Sequence, residues 1–588
     1  MASKQAGDFA KLIEIGIALS VERNTARLME RILLEAKKIC NADGGTLYLL
    51  KDDRLSFEIV RTDSLDIAMG GTTGVEITFA PLPLYDPATG APNDQNVATH
   101  AALSGRSINI PDAYEAEDFD FSGTKRFDAG TGYLSRSFLT VPLKNHDGQV
   151  IGILQLLNAQ DPDSGEVVPF SAEIQPLVEA LASQAAVALD NSQLIDAQRA
   201  LLDAFIELIA SAIDAKSPYT GGHCQRVPEV TRMLAEAACA SAAPPFADFD
   251  LDEDGWHELR IAAWLHDCGK VTTPEYVVDK ATKLETIYNR IHEVRTRFEV
   301  VKRDTEIAYL KGLLDGGDAA ELAAERDARL AQLDEDFAFV AECNIGGEFM
   351  DEKRMERLAR IGETTWTRTL DDRTGLSIPE LQQRQAHRPN PVPAVERLLA
   401  DKPEHMVPRD TVPVAAGKNR FGFELDVPEY DANLGELYNL CIPRGTLTNE
   451  ERFKINDHIV QTIVMLEQLP FPRTMRRVPE YAGGHHEKMD GTGYPRRLSG
   501  EQMSLPARIM AVADIFEALT AADRPYKPAK KLSESIRIMS FMAKDAHIDR
   551  DLFELFLTSG VYRDYAEAHL LPEQIDEVDV AQYVNGGA

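Results

Sequence analysis

The segment AGGHHEKMDGTGYP, residues 482–495, packs two adjacent histidines, two acids and a glycine-tyrosine-proline turn into one short stretch. With 13 histidines in 588 residues, two in succession are not a consequence of composition. Neighbouring side chains of a helix point about 100° apart, so both imidazoles reach one small centre only if the backbone turns there, or if the centre holds more than one atom. The Gly-Gly before the pair and the glycine-rich turn after it permit that turn. Metal ligation is the chemistry this arrangement suggests, and the remaining ligands must come from elsewhere in the chain.

IAAWLHDCGKVTTP, residues 261–274, places His266 and Asp267 at the end of an apolar helix that Gly269 is expected to terminate. The two oxygens of Asp267 can bridge two cations, and His266 offers a nitrogen. Lys270, one turn on, can face a phosphate as a point charge. Three further residues fit the same centre. His223 opens a helix after Pro218 and a Gly-Gly pair, and His458 lies on a helix begun by the capping box Thr448-x-x-Glu451. Asp514 interrupts the otherwise apolar RIMAVADIFEALTA, where a carboxylate is costly unless paired or on a metal. Each alone also reads as an ordinary core or surface residue. Their order, on helices that can face one another, matches how metal sites are assembled inside helical bundles.

The rest of the chain must position these groups. At 588 residues it exceeds the roughly 250–300 at which single cores stop growing, so several domains are expected. No apolar run approaches the roughly 18–20 residues that span a bilayer, and the N-terminus lacks a signal-peptide core. The expectation is a cytoplasmic protein without a membrane partner. A formal charge of −33 argues against polymeric nucleic acid, but not against a small anion beside bound cations. The six cysteines are scattered with no CxxC pair, as free thiols in a reducing compartment would be.

Residues 8–40 carry helical periodicity. Strand-like runs follow at 45–50, 55–60 and 74–80, then at 136–143 and 149–159 about an Asp147-Gly148 turn. This predicts an α+β module with helices flanking an antiparallel sheet. Residues 172–216 read as one long helix in which Leu181, Ala188, Ile195, Leu202 and Ile209 recur every seven positions. That pattern fits a parallel coiled coil in a homodimer. Beyond it, Ile287, Ile291, Val294, Phe298 and Val301, then Leu322, Leu330, Leu333, Phe337 and Val340, predict an antiparallel helical hairpin about Gly316-Gly317. Its first helix, read as about 30 residues, would extend roughly 45 Å. The proline-rich 388–430 is expected to run as a surface loop.

The first module resembles a GAF domain, most closely over 107–158. Within the signature of cyclic-nucleotide-binding GAF domains, Asn158 and Phe170 match, whereas Ala159 and Ile174-Gln175 depart from it. The resemblance leaves two expectations open: a bound cyclic nucleotide or other small ligand, and a dimerisation module without one. The second part, with HD at 266–267, HHEKMDGTGYP at 485–495 and ADRPYK at 522–527, resembles the HD-GYP family of HD phosphohydrolases. That resemblance implies an all-helical bundle, hydrolysis of cyclic di-GMP to linear pGpG and in some members on to GMP, and bound iron or manganese, with zinc, nickel and cobalt as alternatives.

By motif it implies the metal ligands His223, His266, Asp267, His458, His485, His486 and Asp514. Trinuclear members carry a glutamate where this chain has Tyr219, so two divalent ions are expected. Asp267 and Lys270 are the expected catalytic groups. Lys270, Arg524, Lys527 and Tyr494 are the candidates for substrate contact, and Glu487 and Asp490 for orienting ligands or holding the turn. The expected organisation is a GAF sensor over 1–171, a linker helix over 172–216, a bundle split into 217–280 and 448–588, and an insertion over 281–447. The insertion divides what the family writes as one KxGxLTxEE motif between KATKLET and RGTLTNEER. Two cations held this way can activate water and neutralise phosphate oxygens. The alternatives are another cyclic dinucleotide, such as cyclic GMP-AMP, and a catalytically silent scaffold.

Overall fold

A computed structural model describes residues 2–22, 24–216, 222–347, 349–388, 390–522 and 529–584. It divides into two compact units, Met1–Leu202 and Asp203–Ala588.

The first unit is built on an antiparallel sheet of β1 (Ala42–Lys51), β2 (Arg54–Thr62), β3 (Ile67–Gly70), β4 (Leu82–Pro83), β5 (Ile108–Ile110), β6 (Phe138–Lys144), β7 (Val150–Gln160) and β8 (Val167–Val168). The strand order is β3-β2-β1-β7-β6-β5, with β4 on β2 and β8 on β7. Side chains alternate across the sheet as the strand period requires. Leu47 and Leu49 pack with Ile32 and Leu33 of helix Thr25–Cys40, while Tyr48 between them joins Ala98 and Ala101 on the opposite face. The β6–β7 hairpin turns at Gly148 with φ of 77°, as expected. The strand expected at 74–80 does not form. Val75, Ile77 and Phe79 alternate in type, but Val75 and Phe79 are exposed and the segment adds no strand to the sheet. Alternation alone does not make a strand without a partner edge and a face to bury.

The long helix is Gln175–Lys216. Its early residues Val178, Leu181, Ala185 and Leu189 belong to the core of the first unit, and Ile206, Ala210 and Ile213 to the core of the second. Of the residues recurring every seven positions, Leu181 is consumed in a core, whereas Ile195 is 53% and Ile209 47% exposed.

In the second unit, helices His223–Ala240, Glu253–Leu265, Asn449–Leu466, Val478–Gly483, Leu505–Thr520, Leu532–Lys544, Arg550–Thr558 and Val561–His569 surround one apolar core. Val227, Ile261, Tyr481, Phe516, Phe553 and Tyr565 meet there. The capping box expected at Thr448 and Glu451 is present.

The segment after Lys280 leaves this bundle and builds its own core. Ile291–Leu314 and Ala319–Ile345 form the expected hairpin, with Val294, Phe298 and Val301 facing Leu333, Phe337 and Val340. The first helix has 24 residues and not the expected 30, about 36 Å long. It begins at Ile291, because Ile287, read as the start of the seam, lies outside it and is exposed. The proline-rich region is more ordered than a surface loop. Strand Ala394–Arg397 pairs with Thr365–Arg368, and Met406–Pro408 pairs with Tyr430–Asn433. Phe423 and Ala415 pack on Ile459, Val460 and Ile463 of the His458 helix. The two ends of the excursion are fastened by a buried ion pair. Lys280 Nζ lies 2.8 Å from both oxygens of Glu451, and Thr446 Oγ1 donates to Lys280 O at 3.1 Å. The divided motif is therefore rejoined in space. Among the described residues no helix is long and apolar enough to cross a membrane.

Candidate metal centre

Three local devices aim the histidines. Helix Glu253–Leu265 stops one residue before His266, and the chain tightens into a 3₁₀ turn over Cys268–Thr272. Gly269 does not end the helix as the sequence suggested. It is a packing residue: a Cβ there would sit 1.9 Å from His458 O and 2.6 Å from Thr462 N, and its own N–H donates to Thr462 Oγ1 at 2.9 Å. This close approach brings the His266-Asp267 turn onto the His458 helix.

The His485-His486 pair follows the short helix Val478–Gly483. The loop after it folds back, with Tyr494 N donating to His486 O at 3.2 Å, and a Cβ on Gly493 would meet Lys488 N at 2.4 Å. Buried Glu487 fixes this loop by accepting the N–H groups of Arg496 and Leu498 at 2.6 and 2.9 Å. Asp490 accepts Thr492 N and Oγ1 at 2.8 and 2.7 Å on the surface. Both acids hold the turn and bond no ligand histidine.

The third device is the start of helix His223–Ala240, where Gly222 has φ of 83° and Asp214 accepts its N–H at 3.1 Å. Tyr219 lies outside the described residues, as do Arg524 and Lys527.

Seven residues from these elements converge. His223 Nε2 lies 3.2 Å from both Asp267 Oδ2 and Asp514 Oδ1. His266 Nε2 is 3.2 Å from Asp267 Oδ2 and 3.9 Å from Asp514 Oδ1, and His458 Nε2 is 3.1 Å from Asp267 Oδ1. The rings of His266 and His485 are 4.9 Å apart, those of His485 and His486 4.3 Å, and those of His458 and His486 5.1 Å. Potential ligand atoms fall into two groups, Asp267-His458-His485-His486 and His223-His266-Asp267, which share Asp267.

The protonation pattern explains what this arrangement lacks. Nδ1 of His266, His458 and His485 each bonds the carbonyl three residues earlier, at 2.7, 2.5 and 2.7 Å. A carbonyl can only accept, so Nδ1 carries the proton and Nε2 presents a lone pair. The Nε2 atoms of all three and Asp267 Oδ1 are buried without a hydrogen-bond partner. Lone pairs 3.1–3.2 Å apart repel unless a proton or a cation lies between them, and this donor set fits a divalent cation. Burial and the neighbouring His266 push the His485 pKa down to about 4, and burial with His485 and His458 drives His486 well below its ordinary range. Both rings stay neutral and able to ligate. His223 differs. Burial opposes its charge, but Asp267, Asp514 and Glu517 raise its pKa well above the ordinary value.

Residues 393–552 match the HD domain family and residues 24–189 match the GAF domain family. This chain joins a GAF domain to an HD domain. The HD domain is a metal-dependent hydrolase domain, and the matched stretch contains His458, His485, His486 and Asp514, while His223, His266 and Asp267 reach the centre from before the excursion. The chain is 39% identical over 116 residues to a 3′3′-cGAMP-specific phosphodiesterase of Vibrio cholerae, covering 20% of this chain and 26% of that protein. It is 30% identical over 223 residues to a cyclic di-GMP phosphodiesterase of Pseudomonas aeruginosa, covering 35% and 51%. A cyclic di-GMP phosphodiesterase of Vibrio cholerae is 38% identical over 123 residues, covering 20% and 25%. The chain thus spans between about a quarter and a half of the length of these relatives.

Around the HD-domain centre, Lys270 Nζ sits 2.5 Å from Asp267 Oδ2. Tyr494 stacks on His486 with centroids 4.9 Å apart and planes 20° from parallel. Glu517, not among the residues marked by the motifs, pairs with His223 Nδ1 and takes Arg226 Nε at 2.6 Å. Glu517 lies one helical turn beyond Asp514, the i, i+3 spacing that could have marked it. Also unmarked is Lys216, whose Nζ donates to the carbonyls of Val271 and Thr273 at 2.5 and 2.7 Å and closes the 3₁₀ turn.

Proposed function

We propose that the chain is a divalent-metal-dependent phosphodiesterase that opens a cyclic dinucleotide, cyclic di-GMP first, to its linear form. The observation that carries this reading is the set of partnerless Nε2 lone pairs arranged about one shared carboxylate. His223, His266 and Asp514 with Asp267 Oδ2 would hold one cation. His458, His485 and His486 with Asp267 Oδ1 would hold the other. Mixed imidazole and carboxylate donors suit iron or manganese better than magnesium. Bound cations would supply Lewis acidity toward phosphate oxygens and acidify water.

The chain's own residues do the positioning. The Nδ1 bonds to Ala263, Ile455 and Ala482 lock three imidazoles in the tautomer that ligates. Glu517 orients His223 from behind. Lys270, partly exposed beside Asp267, places a positive charge where a phosphate oxygen can be met. Hydrolysis adds hydroxyl to phosphorus and a proton to the released 3′ oxygen. The names of the relatives support two substrates, cyclic di-GMP and 3′3′-cGAMP. Metal analysis of anaerobically purified protein, with turnover of both dinucleotides, tests the reading. Two metals per chain and hydrolysis are expected, and no metal or no hydrolysis defeats it.

The GAF domain serves, in this proposal, as a sensor acting through helix Gln175–Lys216 in a homodimer. Support comes from the exposed apolar side chains Leu194, Ile195, Leu201 and Leu208 along that helix. Four residues inserted near Gln193 would rotate one end by about 40°. Changed basal or effector-dependent rates are expected; unchanged rates reduce the GAF domain to a dimerisation handle.

A further inference from the structure

The excursion between Lys280 and Thr446 walls a cavity as well as departing from the bundle. A cavity of about 670 Å³ is lined by Glu424, Asp426 and Pro428 from the excursion, by Arg452 and Asn456 of the His458 helix, and by Tyr494. Tyr494 belongs both to the wall of this cavity and, by stacking on His486, to the surroundings of the metal centre. Its volume lies in the range of small-molecule sites, roughly 300–1,000 Å³.

The acidic segment is pinned in place. Glu424 N donates to Pro495 O at 2.7 Å, and Arg496 Nε donates to Phe421 O at 2.9 Å. Phe423 is buried against the His458 helix, and Asp426 pairs with Arg497 at 3.1 Å. Asp426 therefore has its cation. Glu424 is exposed, and among the described residues no ion pair or side-chain hydrogen bond engages its carboxylate. Glu424 therefore offers the cavity a carboxylate with no partner among the described residues, free to accept from donors on a ligand.

We propose that Glu424 reads the nucleobase of the cyclic dinucleotide and selects guanine over adenine. This rests on the cyclic-dinucleotide reading above. The Watson–Crick edge of guanine offers N1–H and the N2 amino group side by side, and a carboxylate accepts from both. The same edge of adenine offers an N1 lone pair, which repels a carboxylate. The pinned backbone limits the ordering needed on binding to the Glu424 side chain itself. The excursion thus determines specificity at the metal centre.

The test uses the full-length chain loaded with Mn²⁺, as wild type, Glu424→Ala and Glu424→Gln. kcat/KM is measured for cyclic di-GMP, cyclic di-AMP and bis(p-nitrophenyl) phosphate, which carries no nucleobase and reports the metal centre. Wild type should favour cyclic di-GMP, and Glu424→Ala should lower the cyclic di-GMP to cyclic di-AMP ratio by about tenfold or more, the loss of a charged hydrogen-bonding partner. An unchanged ratio in Glu424→Ala overturns the assignment. So does an equal fall for all three substrates in both variants, which would make Glu424 a structural residue. If wild type hydrolyses only the nitrophenyl ester, the substrate reading itself has failed, and wild type alone reveals it.

Discussion

Each unit buries a polar cluster, and the two clusters are finished differently. In the first unit Asn158, in the left-handed region at φ of 52°, accepts the N–H groups of Arg136 and Ser137 at 2.7 and 3.2 Å and donates to Leu134 O at 2.7 Å. Asp128 beside it accepts from Ser135 N, Ser135 Oγ and Tyr114 OH, all within 2.8 Å. Every such bond is made within the chain. In the second unit the Nε2 atoms of His266, His458 and His485 and Asp267 Oδ1 have no donor. An unsatisfied buried polar atom costs about 1–3 kcal/mol, and several in one place are hard to sustain without a ligand. A closed polar cluster holds a fold, whereas an open one awaits a partner. Asn158, which the GAF resemblance tied to a nucleotide, is committed to the backbone of residues 134–137 just before β6.

Removing the shared carboxylate should break the open cluster most severely. Asp267→Ala is expected to lower turnover by about 10²–10³-fold at the least. Metal content should fall while circular dichroism stays native, and added Mn²⁺ should raise the Tm of wild type only. Full activity with full metal content would place the chemistry elsewhere.

The Lys280–Glu451 pair tests whether satisfaction, and not location, makes the difference. It is buried in the second unit, yet its bonds are completed within the chain, with Thr448 N donating to Glu451 at 2.9 Å and Lys280 Nζ to Asn439 Oδ1 at 3.3 Å. Lys280→Met should leave the buried Glu451 without its cation and cost about 3–5 kcal/mol, much of it recovered in Lys280→Met/Glu451→Gln, which keeps an acceptor for Thr448 N. Chemical denaturation of the three variants measures this. Additive losses would show that the two side chains do not act as a pair.

Glu517→Gln probes the border of the open cluster. The substitution keeps the shape but weakens the hold on His223 Nδ1. A loss of about 10–100-fold in metal affinity is expected, read by competition with a chelator. Affinity equal to wild type would remove Glu517 from the site.

The smallest effect belongs to the closed cluster. Asn158→Ala should destabilise the first unit by about 1–3 kcal/mol and leave metal content untouched. A denaturation curve alongside metal analysis separates the two, and a loss of metal would show that the two clusters are not independent.

Much of this was legible because the signals are local. His-His between glycines, His-Asp at a helix end, and a carboxylate inside the apolar RIMAVADIFEALTA all mark residues that do not belong in an ordinary core. All seven candidate ligands meet in one centre. The expected sheet, long helix, hairpin and capping box form as well, because periodicity and caps act within a few residues. What local pattern could not give was which alternation finds a partner strand. The 74–80 segment has the right types and no edge to join. Nor could it distinguish a helix-ending glycine from one that only lets two backbones touch. Gly269 proves to be the latter, since its neighbour His458 is 189 positions away in sequence. The excursion shows the limit most clearly. Its prolines predicted a loop, yet distant contacts rejoin Lys280 to Glu451 and set Glu424 beside Tyr494. Residue types and local periodicity were enough to mark the side chains that could bind metal and the segments that could be helix or strand. Which lone pairs were left facing one another depended on packing, because hydrogen-bond satisfaction depends on every group brought near, however far along the chain.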